Sequence, residues 1–575
     1  MNLREKPFYL SEEDIDWVES TLAHMTTDEK IGQLFFPINF IQEEEPLRQF
    51  IETFQPAGAL NRPGNAKVLQ KIHGVMQEAS KIPMLIAANI ESGGNGIATE
   101  GTTFGNPLQV AATGNASYAH QLGVIAGTEG KAVGVNYAFA PVIDIDYNTL
   151  NPITNTRTFG SNPERVYEMA SAYIDGLTEA GKDMIYSIKH FPGDGVDDRD
   201  QHLHVTYNTF SVEKWEETYG KNYRRLIDKG APTVMVGHIG LPEYVKEINP
   251  NASIKEILAP ASLSKELVSG LLRERMNFNG VIITDSTSMM GFCTYMSREL
   301  AVPTAIANGC DLFLFNFSLA EDFQFMKKGI ENGILTMERV NEAVTRTLAL
   351  KASMGLHKKQ EQGLLIPDEK NLCVVGCSEF KEKAKECANR AVTLVKDENH
   401  VLPLTVDRHK RLFVSIMGDR EDFYGNKKVG SRFVEAMQKE GFLIDLFDDS
   451  VKIPDPNETT RDFLDRYDAA IYVLNEGTSS NQTTVRLKWN LPLANDAPWF
   501  VNDIPVIGIS FANPYHLRDM PELKTYINAY TTNEYTVEAV VEKLLGRSPY
   551  TGVNPVDTTC GCYELRMKEQ KTENI

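Results

Sequence analysis

Cysteine is scarce, with seven in 575 residues. That is too few, and too irregularly spaced, for the disulfide framework of a secreted scaffold. Cys293, Cys310, Cys373, Cys377 and Cys387 stand mostly among apolar residues and read as buried small hydrophobes. Cys560 and Cys562 form a close pair, but no second pair or neighbouring histidine completes a zinc site. Positive charge is also in deficit. Against 78 Asp and Glu there are 58 Lys and Arg, a formal net charge of −20. This argues against a nucleic-acid partner, because such binding rests on clustered cations. No uninterrupted apolar run approaches the ~18 residues of a spanning helix. The opening stretch MNLREKPFYLSEEDIDWVES lacks the apolar core and cleavage site of a signal peptide. No membrane partner and a cytoplasmic location are therefore expected. Internal repeats and low-complexity segments are missing as well.

What remains is ordinary globular composition, 42% hydrophobic and 24% charged, organised by alternation. Ser11 begins a helical pattern running to about residue 34, with Glu12, Glu13 and Asp14 in its first turn. Strand-like apolar segments follow at 31–39, 57–60, 83–91, 135–145, 184–190, 233–241, 280–285 and 311–317, separated by helical patterns. Eight strand-helix units predict a parallel sheet closed into a TIM-type (β/α)8 barrel over residues 1–358. A polar stretch, 359–370, reads as a linker. Alternation restarts in 371–565 with strands at 411–418, 469–475, 506–511 and 524–530, which predicts a doubly wound α/β sandwich domain. None of its strands is followed by G-x-G-x-x-G, so no nucleotide cofactor is expected. The tail 566–575 reads as disordered.

The densest chemistry lies in IKHFPGDGVDDRDQHLHVT, residues 188–206. A buried-strand pattern ends in Lys189-His190, glycine and proline break the chain, and Asp194, Asp197, Asp198, Asp200, His202 and His204 follow. Other predicted strands also end in polar residues: Asn89 and Glu91, Asp144 and Asp146, His238, and Asp285. One such residue is ordinarily a satisfied core group. Five strands ending this way match a barrel active site, which is built at the strands' C-terminal ends.

Three motifs carry a resemblance to glycoside hydrolase family 3. KHFPGDG resembles the family's K-H-F-P-G-H-G signature, FNGVIITDSTSMMGF its nucleophile strand, and NTRTFGSNPERV its sugar-binding segment. Asp200-Gln201-His202 falls where the β-N-acetylglucosaminidase branch carries Asp-Ser-His. The resemblance implies Asp285 as nucleophile, His202 oriented by Asp200 as general acid/base, and Arg157, Lys189, His190 and His238 as sugar-binding residues. The implied enzyme is a retaining, exo-acting β-N-acetylhexosaminidase without metal or cofactor, a monomer or homodimer acting on amino-sugar glycosides. β-Glucosidase, β-N-acetylgalactosaminidase and glycoside phosphorylase are its near neighbours.

Two departures bear on this. The second histidine of the signature is Asp194 here, and the aspartate expected on the third strand is Asn89, with Glu91 two residues on. A metal-dependent hydrolase using Asp197, Asp198, Asp200, His202 and His204 is an alternative of a different class, as is a non-catalytic sugar-binding protein. Metal sites in barrels draw ligands from several strands rather than from one loop.

Overall fold

The computed structural model describes residues 1–419, 429–447, 459–489 and 496–572. The chain forms two compact units. One comprises Met1–Thr103, Ala119–Thr154 and Pro163–Lys381; the other comprises Phe104–Tyr118, Asn155–Asn162 and Glu382–Ile575.

In the first unit, seven parallel strands lie side by side in chain order. They are Ile38–Asn39, Gly58–Asn61, Leu85–Ala88, Tyr137–Ala138, Ile185–Phe191, Thr233–Val236 and Val281–Thr284. The eighth, Phe313–Leu314, reaches Val281–Thr284 through an Ile283–Leu312 bridge and pairs in parallel with Phe35–Phe36. Phe35–Phe36 and Ile38–Asn39 are one extended stretch interrupted at Pro37, which has no N–H to give. The first half of that stretch pairs with the eighth strand and the second half with Gly58–Asn61, so the ring closes. The strands are buried almost throughout, which is why they read as apolar runs rather than as alternations. Inside, Phe36, Tyr137 and Phe139 stack edge-on with centroids 4.8–6.0 Å apart, and the Tyr137 hydroxyl donates to Thr233 Oγ1 at 2.8 Å.

The opening helix is shorter than its pattern suggested. Glu12–His24 is capped by Ser11, and Thr26 caps a second helix, Thr27–Gly32, through a reciprocal bond with Glu29. The helical pattern before Asp285 is a π-helix, Glu266–Arg275.

In the second unit, six strands run in the order Thr393–Asp397, Thr525–Asn528, Val506–Ser510, Ala469–Leu474, Arg411–Met417, Leu443–Leu446. All but the first pair in parallel; Thr393–Asp397 is antiparallel to Thr525–Asn528. One face packs Leu412, Val414 and Ile471 against Phe433 and Val540, from helices Val429–Lys439 and Glu534–Leu544. The other packs Tyr472 and Tyr526 against Phe463 and Leu517. The segment Phe104–Tyr118 belongs to this unit: Leu108 and Ala112 share a cluster with Ala391, Tyr515, Tyr530 and Val556, and Gln109 Nε2 donates to Thr536 Oγ1 at 2.8 Å. Helix Tyr563–Thr572 occupies the described part of the tail, which the sequence had suggested would be unstructured.

A buried carboxylate ties the barrel together at the end opposite the strands' C-termini. Asp311, just before the eighth strand, accepts from Arg273, from Arg339 Nη2 at 2.6 Å and from the Ile282 N–H at 2.9 Å. Burial would raise its pKa, but the arginines Arg273, Arg339 and Arg346 outweigh that and hold it below the usual carboxylate range. Asp311→Asn should therefore destabilise the protein by about 3–5 kcal/mol, because it leaves buried guanidinium groups without their partner. Denaturant titration checks this. The ion-pair contribution is present above the pKa of an unfolded Asp and should fade as pH falls through the lower folded value.

Candidate active site

The strand Val281–Thr284 delivers Asp285 to the C-terminal rim of the barrel. Its N–H donates to the Val236 carbonyl at 2.7 Å, and its Oδ1 accepts the Ser286 N–H at 2.7 Å. Its Oδ2 lies 3.8 Å from His190 Nε2, and its side chain is 13% exposed. Burial would raise its pKa, but the positive edges of His190, His238 and His202 and the Ser286 N–H overcome burial and pull it to about 2. Asp285 is thus an ionised, aimed carboxylate with one free oxygen edge.

His190 is aimed in turn by Asp144, which follows the strand Tyr137–Ala138. His190 Nδ1 pairs with Asp144 Oδ2 at 2.7 Å, while Asp144 Oδ1 accepts the N–H groups of His190 at 3.1 Å and Asp194 at 2.8 Å. The neighbouring Lys189 Nζ pairs with Glu91 Oε1 at 2.6 Å, both side chains being largely buried. Asn89 stands one residue past the strand Leu85–Ala88 and is exposed.

Beyond His190 the chain turns on two glycines. At Gly193, φ is +117° and a Cβ would strike the Tyr219 ring; at Gly195, φ is +108° and a Cβ would strike the Ile145 carbonyl. Trp215 Nε1 donates to the Pro192 carbonyl at 2.8 Å and the Tyr219 hydroxyl to the Asp194 carbonyl at 2.6 Å, anchoring the loop's start. Its far end is held by the segment after Asp285 and by the His238 backbone. The Met290 N–H donates to the His202 carbonyl at 2.9 Å, and Gln201 Oε1 accepts the His238 N–H at 2.7 Å.

Between those anchors Asp200 is fully buried and accepts twice from His202, from its N–H at 2.8 Å and its Nδ1 at 2.7 Å. The His202 side chain keeps 22% of its surface exposed. His202 is among the groups that lower the pKa of Asp285 and of His238. Its second ring nitrogen is available to move a proton.

The loop's remaining polar residues point elsewhere. Asp197 binds Arg199 and the Tyr207 N–H, and Asp198 and His204 are exposed. Among the described residues no cluster of three or more His, Cys, Asp or Glu converges on a point that could hold a metal. His238 is used by the protein itself. Its Nε2 donates to the Ser286 carbonyl at 2.8 Å, so Nδ1 accepts from the Ser262 hydroxyl at 2.8 Å. Burial pushes its pKa down. Arg157 ends the 3-10 turn Asn155–Arg157, in a segment of the second unit.

Sequence reasoning named Asp144 only as a polar strand end, and missed that it braces His190. Ser262 gave no signal. Nor did Arg298, which binds Asp322 and donates to the Thr287 carbonyl at 2.9 Å, two residues beyond Asp285.

The description "Glycosyl hydrolase family 3 N terminal domain" matches residues 26–350. Over 570 residues, 99% of this chain and 100% of the other, the sequence is 39% identical to a Cellulomonas fimi protein named beta-N-acetylglucosaminidase/beta-glucosidase. A beta-hexosaminidase of Hydrogenovibrio crunogenus is 30% identical over 264 residues, 43% of this chain and 70% of that one. Among solved structures, the beta-glucoside phosphorylase BglX superposes with a TM-score of 0.92 at 42% identity, over 98% of this chain and 99% of that one. A β-N-acetylglucosaminidase from a Paenibacillus species shares the fold, with a TM-score of 0.77 at 22% identity over 94% of this chain and 100% of that one. The chain belongs to glycoside hydrolase family 3.

Proposed function

We propose that this glycosidase is retaining and exo-acting, and removes a terminal β-linked N-acetylglucosamine or glucose through a covalent glycosyl-enzyme on Asp285. The observation that carries this reading is the His202–Asp200 pair: a ring nitrogen 2.7 Å from a fully buried carboxylate, on a histidine otherwise partly open. Asp285 Oδ2 attacks the anomeric carbon as the bond to the leaving oxygen breaks, and His202 Nε2–H gives that oxygen its proton. The alcohol leaves and His202 is left neutral. In the second step Nε2 takes a proton from the acceptor, whose oxygen attacks the anomeric carbon and frees Asp285. Asp200 holds the Nδ1–H throughout, fixing the tautomer and stabilising the cation.

Lys189, His190, Glu91 and Asn89 surround the sugar in this reading, with donors and acceptors suited to hydroxyl groups. His190 stays braced by Asp144, and His238 contributes by holding the Ser286 carbonyl behind the nucleophile.

Phosphorolysis is a second reading favoured by a specific observation. In the glycosyl-enzyme the acid/base is a neutral imidazole, so an approaching phosphate meets one negative charge fewer than it would beside a carboxylate base. The 42% identical BglX is named a beta-glucoside phosphorylase.

Three outcomes test these assignments. A 2-deoxy-2-fluoro glucoside should leave its label on Asp285, seen by peptide mass spectrometry; a label on another carboxylate removes Asp285 from the role. His202→Ala should lose about 10²–10⁴-fold in kcat/KM on alkyl glycosides, whose alkoxide leaves badly, and far less on a dinitrophenyl glycoside. His204→Ala, two residues along, should show no such dependence. With p-nitrophenyl β-glucoside and β-N-acetylglucosaminide, adding inorganic phosphate should raise turnover and yield the sugar 1-phosphate if phosphate is the preferred acceptor. Unchanged rates and free sugar alone would leave hydrolysis as the reaction.

A further inference from the structure

Asp194 stands where the resembling signature has histidine, and the mechanism above gives it no part. Its side chain is 2% exposed. Oδ1 accepts the Gly195 N–H at 2.7 Å and Asn151 Nδ2 at 3.1 Å. Oδ2 is buried with no partner. Its own N–H donates to Asp144 Oδ1 and the Asp144 charge acts on its carboxyl, so two carboxyl groups lie near one another in one buried site.

The donors are unequally divided. Asp144 receives the N–H groups of His190 and Asp194 and the His190 ring. Asp194 receives two, both on one oxygen. Two carboxylates in such a site cannot both ionise cheaply, and the charge goes to the one better supplied with donors. The other groups facing Asp194 offer no compensation. Asp200 comes from the loop, and the Tyr219 hydroxyl from the helix packed beneath is already donated to the Asp194 and Ile145 carbonyls. Asp146, on the same stretch as Asp144, accepts from Thr154.

We infer that Asp194 is a positioning residue that must be the neutral carboxylic acid in the active enzyme, because only then does Asp144 carry its charge undisturbed and hold His190 against the nucleophile. Losing that proton places a second buried negative charge beside Asp144, on the loop that starts at His190 and ends at His202. The repulsion pushes apart the Asp144 and Asp194 contacts that fix both. Burial and then Asp144 drive the Asp194 pKa up to about 8, so this loss belongs to mildly alkaline pH. The linkage has a definite sign: a carboxyl with a raised folded pKa binds its proton in the native state. Its contribution is whole below the unfolded value and declines as pH rises toward the folded one.

The inference rests on Asp285 and His202 acting as proposed, and the test separates the two. The difference infrared spectrum of the wild type between about pH 6 and about pH 9.5 should show a protonated carboxyl C=O band bleaching as pH rises. Asp194→Asn, which imitates the neutral acid, should lack that band. This readout needs no turnover. In kcat/KM on a dinitrophenyl glycoside, whose departure needs no proton from His202, the wild type should still lose activity above about pH 8. Asp194→Asn should match it within about threefold near neutral pH and keep that activity into the alkaline range. A wild-type spectrum without the band at about pH 6 would overturn the inference. So would a folded Asp194→Asn enzyme impaired by about 100-fold or more at neutral pH, or one whose alkaline loss is unchanged. If the label of the fluoro glucoside falls elsewhere than Asp285 while the infrared band behaves as expected, the proposed mechanism fails and the neutral acid stands.

Discussion

The site depends on one buried carboxylate that gathers its neighbours. Asp144, buried past the fourth strand of the barrel, accepts from the backbone of both ends of the pentapeptide His190–Asp194 and from the His190 ring. A single charged acceptor thereby sets the start of the loop and the orientation of the imidazole, and through that imidazole the electrostatic setting of Asp285. Charge-assisted bonds are the stronger kind, and here the donors converge from one short segment, so losing the acceptor would loosen all of them together. The opposite end of the barrel repeats the device with Asp311 among arginines. There the neighbours are cations and the purpose is cohesion; at Asp144 they are two backbone N–H groups and a histidine ring, and the purpose is aim.

Two carboxylate–histidine pairs are thus set to different ends by exposure. His190 is shut between Asp144 and Asp285, and it is among the groups that hold Asp285 below the usual carboxylate range. His202 sits on Asp200 with a fifth of its surface open. The bond to the carboxylate has the same length, 2.7 Å, in both pairs. What differs is whether the far nitrogen faces a fixed protein group or open space.

Much of this was legible in the sequence for physical reasons. Buried parallel strands must be apolar on both faces, so segments such as Val281–Thr284 and Thr233–Val236 announce themselves, and so do the polar residues that end them. Even the short Gly58–Asn61 was marked by its apolar run. The Asp200–His202 pair was implied by the resemblance of Asp200-Gln201-His202 to the family's Asp-Ser-His, and the two side chains do meet at 2.7 Å. What was not legible depends on partners distant in sequence. Asp144 and His190 are 46 residues apart, and His238 is turned toward Ser286 by packing that its own neighbours do not encode. The antiparallel strand Thr393–Asp397 is amphipathic and charged, as edge strands are, and was passed over in favour of the helix before it.

The second unit also has a consequence for how the protein is made. Phe104–Tyr118 and Asn155–Asn162 lie within the stretch of chain that builds the barrel, yet Leu108 and Ala112 complete a core whose other members begin at Ala391. On the ribosome these segments emerge about 220–280 residues before the unit they belong to resumes at Glu382. At about 5–20 residues per second that is a wait on the order of ten to fifty seconds. Two segments of the second unit therefore wait without their core partners until synthesis is nearly over. Expressing the second unit from residue 382 onward would leave its core without Leu108 and Ala112, so neither unit can be cut from the chain at a single point.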